Sequence, residues 1–497
     1  GLRLRMSDPQ RLLSTQHPDN ASPPPFSESD LLGPAAEIEE AHHAFAELGC
    51  DEQLWDFEGK EGDEYVVQKL LAGYESYFRD SRLGEDVRLT LRGPNPAVAD
   101  SASKVLLEIL ESIPRSNDAA AVFAAEHDLP TVAPIQEVIV PMVTEASQVI
   151  AVDRYYEQFV TGKADREVAP GMTVGDWVGR FEPARVRAIP LIETRDAMVR
   201  AHEIVAEYAE ATGRRSIRVF LARSDPALNY GCLAADLINK IALARLEEMA
   251  RDRKLEIHPM LGAGSSPFRG HLTPETVERI LAAYPTVQTF TIQSAFKYDH
   301  PPATVRAGLE TLREATVSEH ATLVDHDRAS AIVDRTAAVY GEQIDRLAPL
   351  VNRLSELVPR RRARKLHVGL FGYSREVGEH RLPRAIGFTA ACYSIGLPPT
   401  LLGLAGLTDS DVEFLERVFP QFFETLAAAA RYYNPRCHEL CELRSARLEA
   451  GLEYVDSQPD GEHRTATDEV ISAVQAGDEQ RASAAVAQAA RLRRFLG

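Results

Sequence analysis

The sequence has 497 residues, of which 44% are hydrophobic and 26% are charged, a balance typical of soluble globular proteins. Its net charge of −19 argues against nucleic acid or an anionic membrane as the main partner, although clustered arginines could still bind a small anion. It contains no run of about 18 apolar residues that would predict a membrane helix. The first residues lack the apolar core of a secretory signal.

The cysteine content favours reduced thiols in a cytoplasmic protein, because the set is sparse and odd in number. The five residues are Cys50, Cys232, Cys392, Cys437 and Cys441. The segment 437–441, CHELC, could hold a metal ion, but no second cysteine pair completes a zinc knuckle. We therefore favour buried, small side chains over a metal site at this segment.

Residues 1–35 are predicted to form an N-terminal arm. Residues 13–20 are polar and turn-forming, and residues 18–35 are rich in Pro, Ser and Asp, which predicts irregular structure. His17 lies in this arm, where it is either a surface residue or a general base that reaches a site. Residues 36–48 have helical periodicity and begin the single domain that we predict for residues 36–497.

From about residue 87 onward, short apolar runs alternate with helix-like segments such as 234–254 and 273–284. The runs are 87–96, 136–143, 186–194, 216–225, 255–264, 286–294 and 365–374. Their nearly all-apolar centres are typical of parallel strands that are buried on both faces. Seven runs, with an eighth easily missed, predict an α/β fold, a closed (β/α)8 TIM-like barrel. Residues 300–360 and those after 408 predict large additional α-helical segments.

A basic run occupies residues 360–364, just before the last apolar run. Such a run can indicate nucleic-acid binding. In so acidic a chain, however, a solvated or interface loop is the better interpretation.

Two carboxylates stand directly after apolar runs, Glu193 after AIPLI and Asp225 after VFLARS. In a (β/α)8 barrel the active site lies at the C-terminal ends of the strands. Two acids on neighbouring strand ends would suit Mg²⁺ or Mn²⁺, which prefer oxygen ligands and keep positions open for substrate. The alternative, that each acid caps a helix or pairs with an arginine, remains open on spacing alone.

Arginines and a glutamine also stand at or after the runs. They are Arg92, Arg269, Gln293, Arg375 and Arg384. Guanidinium groups bind phosphate and carboxylate bidentately, and the glycine-rich loop 262–270 would let backbone approach an anion. One such arginine is often structural, but several at one barrel mouth indicate an anion site. With a metal ion and a base, the set suits enolate chemistry on a phosphorylated carboxylate.

Eight ordered segments now resemble the archaeal-type phosphoenolpyruvate carboxylases over nearly the whole chain. They are STQHPDN (14–20), CDEQLWDFEGKE (50–61), LGEDVRLTLRGPNP (83–96), LESIPRS (110–116), VFLARSDPALNYG (219–231), GAGSSPFRGHL (262–272), FTIQSAFKYDH (290–300) and LPRAIGFTAACYSIGLPP (382–399). This resemblance implies a Mg²⁺- or Mn²⁺-dependent lyase that forms oxaloacetate and phosphate from phosphoenolpyruvate and bicarbonate.

The resemblance also implies roles for individual residues. His17, Arg269 and Arg375 would be catalytic, and Glu193 and Asp225 would bind the metal ion. Substrate would be bound by Arg92, Arg269, Arg375 and Arg384. The longer carboxylases of the wider family have a histidine, an arginine and a lysine where this chain has Leu261, Ala263 and Leu228. Arg223 or Lys297 is our candidate for the missing contact.

The family further suggests a cytoplasmic homotetramer under allosteric control, in which aspartate is a common inhibitor. Two other functions stay open. One is another metal-dependent barrel lyase or aldolase that acts on phosphoenolpyruvate or pyruvate. The other is a non-catalytic barrel subunit, which the presence of both Glu193 and Asp225 disfavours.

Overall fold

A closed barrel of eight parallel strands forms the centre of the protein, as the sequence predicts. The structure, a computed structural model, describes residues 9–58, 62–322, 325–363, 376–377 and 380–497. The barrel strands are β1 Leu12–Ser14, β2 Glu52–Asp56, β3 Arg88–Arg92, β4 Glu137–Val140, β5 Arg187–Ile192, β6 Ser216–Ala222, β7 Glu256–Gly262 and β8 Thr289–Ile292. Each strand pairs in parallel with its neighbours in chain order, and β1 closes the barrel by pairing with both β2 and β8.

Six barrel strands coincide with predicted runs, whereas β1 and β2 do not. β1 has only three residues, too few for a periodic pattern, and β2 reads EQLWD, in which buried polar side chains replace the expected apolar ones. The predicted strand at 365–374 lies outside the described residues. Among the described residues, eight strands close the barrel within residues 12–292.

Helices cover the outside of the barrel and form the additional segments after it. They are α1 Pro34–Ala46, α2 Val66–Gly73, α3 Glu75–Asp80, α4 Val105–Glu126, α5 Ser147–Tyr155, α6 Val174–Val178, α7 Arg195–Val199, α8 Ala201–Thr212, α9 Ser224–Tyr230, α10 Cys232–Arg253, α11 Val277–Ala283, α12 Ser294–Tyr298, α13 Pro302–Glu314, α14 His326–Ser355, α15 Ala385–Ser394, α16 Asp409–Val418, α17 Gln421–Ala430, α18 Ser445–Glu449, α19 Gly461–Ala476 and α20 Glu479–Arg493. Two short antiparallel hairpins pair Glu167–Ala169 with Met172–Thr173, and Glu376–Val377 with His380–Arg381.

Within the described residues, no single helix is both long and apolar enough to cross a membrane. One pair of helices, Ala385–Ser394 and Pro399–Gly406, is bent by 98°. Taken together, the pair is long and apolar enough to span a membrane by length and composition only.

The interior of the barrel is apolar in its middle and charged near the N-terminal ends of the strands. A buried cluster fills the middle, formed by Leu13, Leu54, Ile139, Ile189, Leu191, Phe220, Ala222 and Met260. Near the strand starts, Arg218 donates to both carboxylate oxygens of Glu52 at 2.7 and 2.8 Å and to Glu137 at 2.9 Å. Burial alone would raise the pKa of Glu52, but Arg218 lowers it overall.

Part of the predicted N-terminal arm contributes to the barrel, since Leu12–Ser14 forms β1. Besides forming β1, it is held further along by Asp299, whose carboxylate accepts the backbone N–H groups of Ala21 and Ser22 at 2.7 and 2.8 Å. Asp19 and Asn20 of this segment are buried although they are polar.

The basic run at 360–364 contributes internal ties. Arg361 donates to the carbonyls of Asn20 and Ala21 at 3.0 and 2.7 Å. Arg362 makes a buried, bidentate ion pair with Glu40 at 2.7 and 2.8 Å. Both side chains are therefore buried and engaged with the N-terminal segment and α1.

We expect Arg218→Met to lower the free energy of unfolding by about 3–5 kcal/mol, because Glu52 and Glu137 would lose the charge that compensates their burial. Chemical denaturation followed by tryptophan fluorescence would measure this loss. The matched control is Arg185→Met, which removes an exposed pair with Glu157 at 3.2 Å and should cost about 1 kcal/mol or less. Equal losses in the two variants would contradict a stabilising role for the barrel network.

Candidate active site

The C-terminal ends of the strands bring together the charged residues that the sequence singled out. Because all eight strands run parallel, their C-terminal ends lie at one mouth of the barrel. The residues at or just after these ends are Gln16 and His17 (β1), Asp56 and Glu58 (β2), Arg92 (β3), Glu193 (β5), Asp225 (β6), Arg269 (β7) and Gln293 (β8).

Glu193 and Asp225 form the acidic centre of this mouth. Glu193 is buried, lies close enough to Asp225 for their charges to interact, and accepts the backbone N–H of Met142 at 2.7 Å. Burial, and then the charges of Asp225 and Glu58, raise the pKa of Glu193 well above its usual value. Burial likewise raises the pKa of Glu58 to about 7, although Arg92 opposes the shift.

This group of carboxylates fits a divalent cation. Among the described residues, neither Glu193 nor Asp225 takes part in an ion pair, so the alternative of a simple arginine pair is not seen there. Two neighbouring carboxylates without a paired cation repel each other, and a hard metal ion with oxygen ligands would relieve that repulsion.

His17 lies beside the arginines of the same mouth. Its Nδ1 lies 2.7 Å from the hydroxyl of Thr15, which fixes the ring. Burial lowers the pKa of His17 well below its usual value, and the nearby charges of Arg92, Arg269 and Arg384 lower it further. The imidazole is therefore neutral at neutral pH and can accept a proton.

Arg92 is held by two carboxylates that the sequence analysis did not single out. Its Nε and Nη2 donate to the two oxygens of Asp56 at 3.1 and 2.7 Å, and its Nε lies 3.4 Å from Glu58. Asp56 is the last residue of β2 and Glu58 lies two residues beyond it, but the sequence analysis did not recognise β2 as a strand. The motif at 50–61 already contained them, and recognising EQLWD as a buried strand would have placed them at its C-terminal end.

Arg269 is almost fully buried, and its guanidinium is oriented by three residues that are remote in sequence. Its Nη1 donates to Asp19 and to the carbonyl of Gly497, both at 3.2 Å, and its Nη2 donates to Gln293 at 2.6 Å. A Cβ on Gly264 would lie 2.3 Å from Nη1, so only glycine leaves room for the guanidinium. The buried Nε has no hydrogen-bond partner among the described residues.

Arg223 and Lys297, the proposed replacements for the missing contact, are engaged inside the protein. Arg223 binds Asp236 through Nε and Nη2 at 2.7 and 3.1 Å and donates to the carbonyl of Phe268 at 3.0 Å. It therefore supports the loop that carries Arg269. Lys297 donates to Ser14 at 3.0 Å and to the carbonyl of Thr15 at 2.9 Å.

The remaining predicted arginines fall on the segment before α15. Arg384 immediately precedes this helix, and its charge acts on both His17 and Glu58. Arg375 lies outside the described residues. The structure thus brings together His17, Arg92, Glu193, Asp225, Arg269 and Arg384 from the predicted set.

Fold and site together define a (β/α)8-barrel enzyme with an acidic pair, a neutral histidine and several arginines at the barrel mouth. A family model described as phosphoenolpyruvate carboxylase matches residues 10–497. A phosphoenolpyruvate carboxylase of Halobacterium salinarum is 59% identical over 492 residues, which cover 99% of this chain and 100% of the relative. That of Methanothermobacter thermautotrophicus is 45% identical and covers 98% of this chain and 99% of the relative.

The chain belongs to the phosphoenolpyruvate carboxylase family. Among solved structures, a HpcH/HpaI aldolase/citrate lyase family protein from Burkholderia cenocepacia matches with a TM-score of 0.33 and 16% identity. The match covers 62% of this chain and 94% of that one.

We expect Asp225→Asn to stabilise the metal-free protein. A carboxyl group whose pKa is raised on folding stabilises the native state below its unfolded pKa, 4.5 for Glu193, and loses that contribution as the pH rises through the raised value. Removing the charge of Asp225 makes the upward pKa shift of Glu193 smaller. The free energy of unfolding of the variant should therefore rise by about 0.5–2 kcal/mol at pH 8 and by less near pH 5.

The measurement is the unfolding midpoint in buffer that contains a chelator, with Asp334→Asn as the control. Asp334 is an exposed acid paired with Arg195, so its variant should show no such pH-dependent gain. If Asp225→Asn were no more stable than the parent at pH 8, repulsion between the two carboxylates would not be a stability cost.

Proposed function

We propose that this chain catalyses the carboxylation of phosphoenolpyruvate by bicarbonate, which yields oxaloacetate and phosphate. The observation that carries the proposal is the convergence at one barrel mouth of Glu193, Asp225, His17 and the arginines at 92, 269 and 384. Membership of the carboxylase family, at up to 59% identity over nearly the whole chain among the relatives described above, supports the same reaction.

Glu193 and Asp225 would hold Mg²⁺ or Mn²⁺. Both acids present oxygen ligands, and neither is neutralised by an ion pair among the described residues. When bound, the ion would supply positive charge to stabilise the negative charge that develops as the enolate forms. Glu58 lies close enough to act on the charge of both ligands, so it would help to set their affinity for the ion.

Arginine side chains would bind the phosphoryl group and the carboxylate of the substrate. Arg269 is pre-oriented by Asp19 and Gln293, so little conformational freedom is lost when it meets an anion. Arg92 is similarly fixed by Asp56 through Nε and Nη2, which leaves Nη1 for another partner. Arg384 would contribute from outside the barrel strands, and Arg375 stays a prediction from the family motif.

His17 would act as the base. Bicarbonate oxygen attacks phosphorus, the bond from phosphorus to the enolate oxygen breaks, and carboxyphosphate forms. His17 accepts the carboxyl proton of carboxyphosphate through Nε2, since Thr15 occupies Nδ1. Loss of CO₂ then leaves phosphate, which takes up that proton, and the enolate carbon attacks CO₂ to give oxaloacetate. A neutral imidazole is required at the start, and the lowered pKa of His17 supports this.

Higher-level properties follow from the family resemblance and stay proposals. They are a homotetrameric assembly, allosteric control and a cytoplasmic location. The five cysteines are free and buried, which fits a reducing compartment.

Bicarbonate-dependent formation of oxaloacetate from phosphoenolpyruvate and Mg²⁺, coupled to malate dehydrogenase, is the direct test. We expect Asp225→Asn and Glu193→Gln each to lose at least about 10²-fold in kcat, because each removes a negative ligand of the metal ion. Asp334→Asn, which changes an exposed acid, should keep the parent rate. Turnover of phosphoenolpyruvate that forms pyruvate and does not require bicarbonate would instead favour the lyase alternative.

His17→Gln separates the base from the rest of the site. The amide is similar in size but cannot accept a proton, so oxaloacetate formation should fall about 10²–10⁴-fold. The fraction of consumed phosphoenolpyruvate that appears as pyruvate should rise, because an enolate that is not carboxylated is protonated. Both products can be measured in one reaction with the two coupling dehydrogenases, with the exposed His320→Gln as control. An unchanged rate and an unchanged product ratio would exclude His17 as the base.

A further inference from the structure

A second group of metal-type ligands lies far along the chain from the barrel strands, in the segment between α17 and α18. Cys437 and His438 belong to the 3₁₀ helix Pro435–Glu439, and Cys441 follows two residues later. One ligand atom from each of the three residues lies within 4.8 Å of the other two. Both cysteines are buried and His438 is half-buried. The sequence analysis favoured buried thiols here, because no second cysteine pair completes a zinc knuckle.

The spacing of these atoms is close to that of a tetrahedral zinc site. With bonds of about 2.3 Å to sulfur and about 2.0 Å to nitrogen, two ligands of one zinc ion lie about 3.5–3.8 Å apart. Nδ1 of His438 lies 4.0 Å from Sγ of Cys441, and all three ligand atoms lie within 4.8 Å of one another. Shifts of about 1 Å or less would therefore bring the three atoms to bonding positions.

The histidine is oriented as a metal ligand usually is. Its other ring nitrogen, Nε2, lies 3.1 Å from the hydroxyl of Tyr433, and that hydroxyl donates to the carboxylate of Glu449 at 2.6 Å. Such a relay through the distal nitrogen fixes the ring and leaves Nδ1 for the metal.

We propose that Cys437, His438 and Cys441 bind one zinc ion, with Nδ1 as the histidine ligand. Thiolate and imidazole are soft to intermediate donors that select zinc over magnesium, so the ion differs in kind from the one proposed for Glu193 and Asp225. A water molecule would complete the four ligands of the zinc ion. Because all three protein ligands lie within residues 437–441, the ion would stabilise the turn that joins the 3₁₀ helix to the segment leading into α18.

The test uses the full-length chain without an affinity tag, because a histidine tag itself binds zinc. The reduced protein is loaded with zinc, dialysed against zinc-free buffer, and assayed for bound metal by mass spectrometry. We expect one zinc per parent chain and at least about tenfold less in His438→Ala and in Cys437→Ala. Since His438 is only half-buried, its variant should fold even if the one at the fully buried Cys437 does not.

Two further variants make the result specific. Tyr433→Phe removes only the hydroxyl that orients His438, so competition with a chromophoric chelator should show zinc affinity about 10–100-fold weaker. Cys50→Ala removes a buried thiol at the start of β2 and should retain the full zinc content. Loading with Co²⁺ should also produce the intense thiolate charge-transfer absorption in the parent and not in Cys437→Ala.

Two results would overturn the proposal. One is a reduced parent chain that retains no zinc after dialysis. The other is a folded His438→Ala chain that retains as much zinc as the parent.

Discussion

The buried ion pair between Arg269 and Asp19 joins parts of the chain that are remote in sequence. Asp19 follows β1, and its two oxygens accept the backbone N–H of Ala295 at 2.7 Å, a long contact from Ser265 at 3.5 Å, and Arg269 at 3.2 Å. Two buried charges are stable together only if hydrogen bonds replace the lost water. This requirement fixes the glycine-rich loop, the start of α12 and the segment after β1 relative to each other. His17, two residues before Asp19, takes its place from the same constraint.

The site is assembled at a cost to stability, and the rest of the barrel offsets it. Glu193, Asp225 and Glu58 place acidic groups close together in a buried mouth, where burial and repulsion both disfavour their ionised forms. At the opposite ends of the strands, Glu52 and Glu137 have a shared partner in Arg218. The barrel therefore separates its charges by role. The acids at the strand starts are paired with Arg218, and Glu58 at the mouth lies 3.4 Å from Arg92, whereas Glu193 and Asp225 form no ion pair among the described residues.

Much of this arrangement was predictable from the sequence because buried parallel strands are apolar and their ends are not. That contrast placed Glu193, Asp225 and Arg92 correctly at strand ends before any coordinates. It failed for β2, whose buried Glu52 and Gln53 break the apolar pattern, and so Asp56 and Glu58 were missed. Arg223 shows a different limit. It too follows a strand end, but spacing cannot reveal that Asp236, on α10, takes up its guanidinium.

The two proposed metal sites differ in donor chemistry, and this difference affects how metal dependence in this chain should be interpreted. Carboxylate oxygens would leave Mg²⁺ or Mn²⁺ exchangeable at the barrel mouth, whereas thiolate and imidazole would hold zinc more firmly between α17 and α18. A strong chelator would remove both proposed ions, so loss of activity on chelation alone would not identify a catalytic metal. Adding back Mg²⁺ without zinc tests whether the barrel mouth alone restores activity. Any decrease in the unfolding midpoint that persists after this addition is then due to loss of zinc from the Cys437–Cys441 segment. Separating the two ions in this way distinguishes chemistry at Glu193 and Asp225 from integrity of the helical region that encloses the barrel.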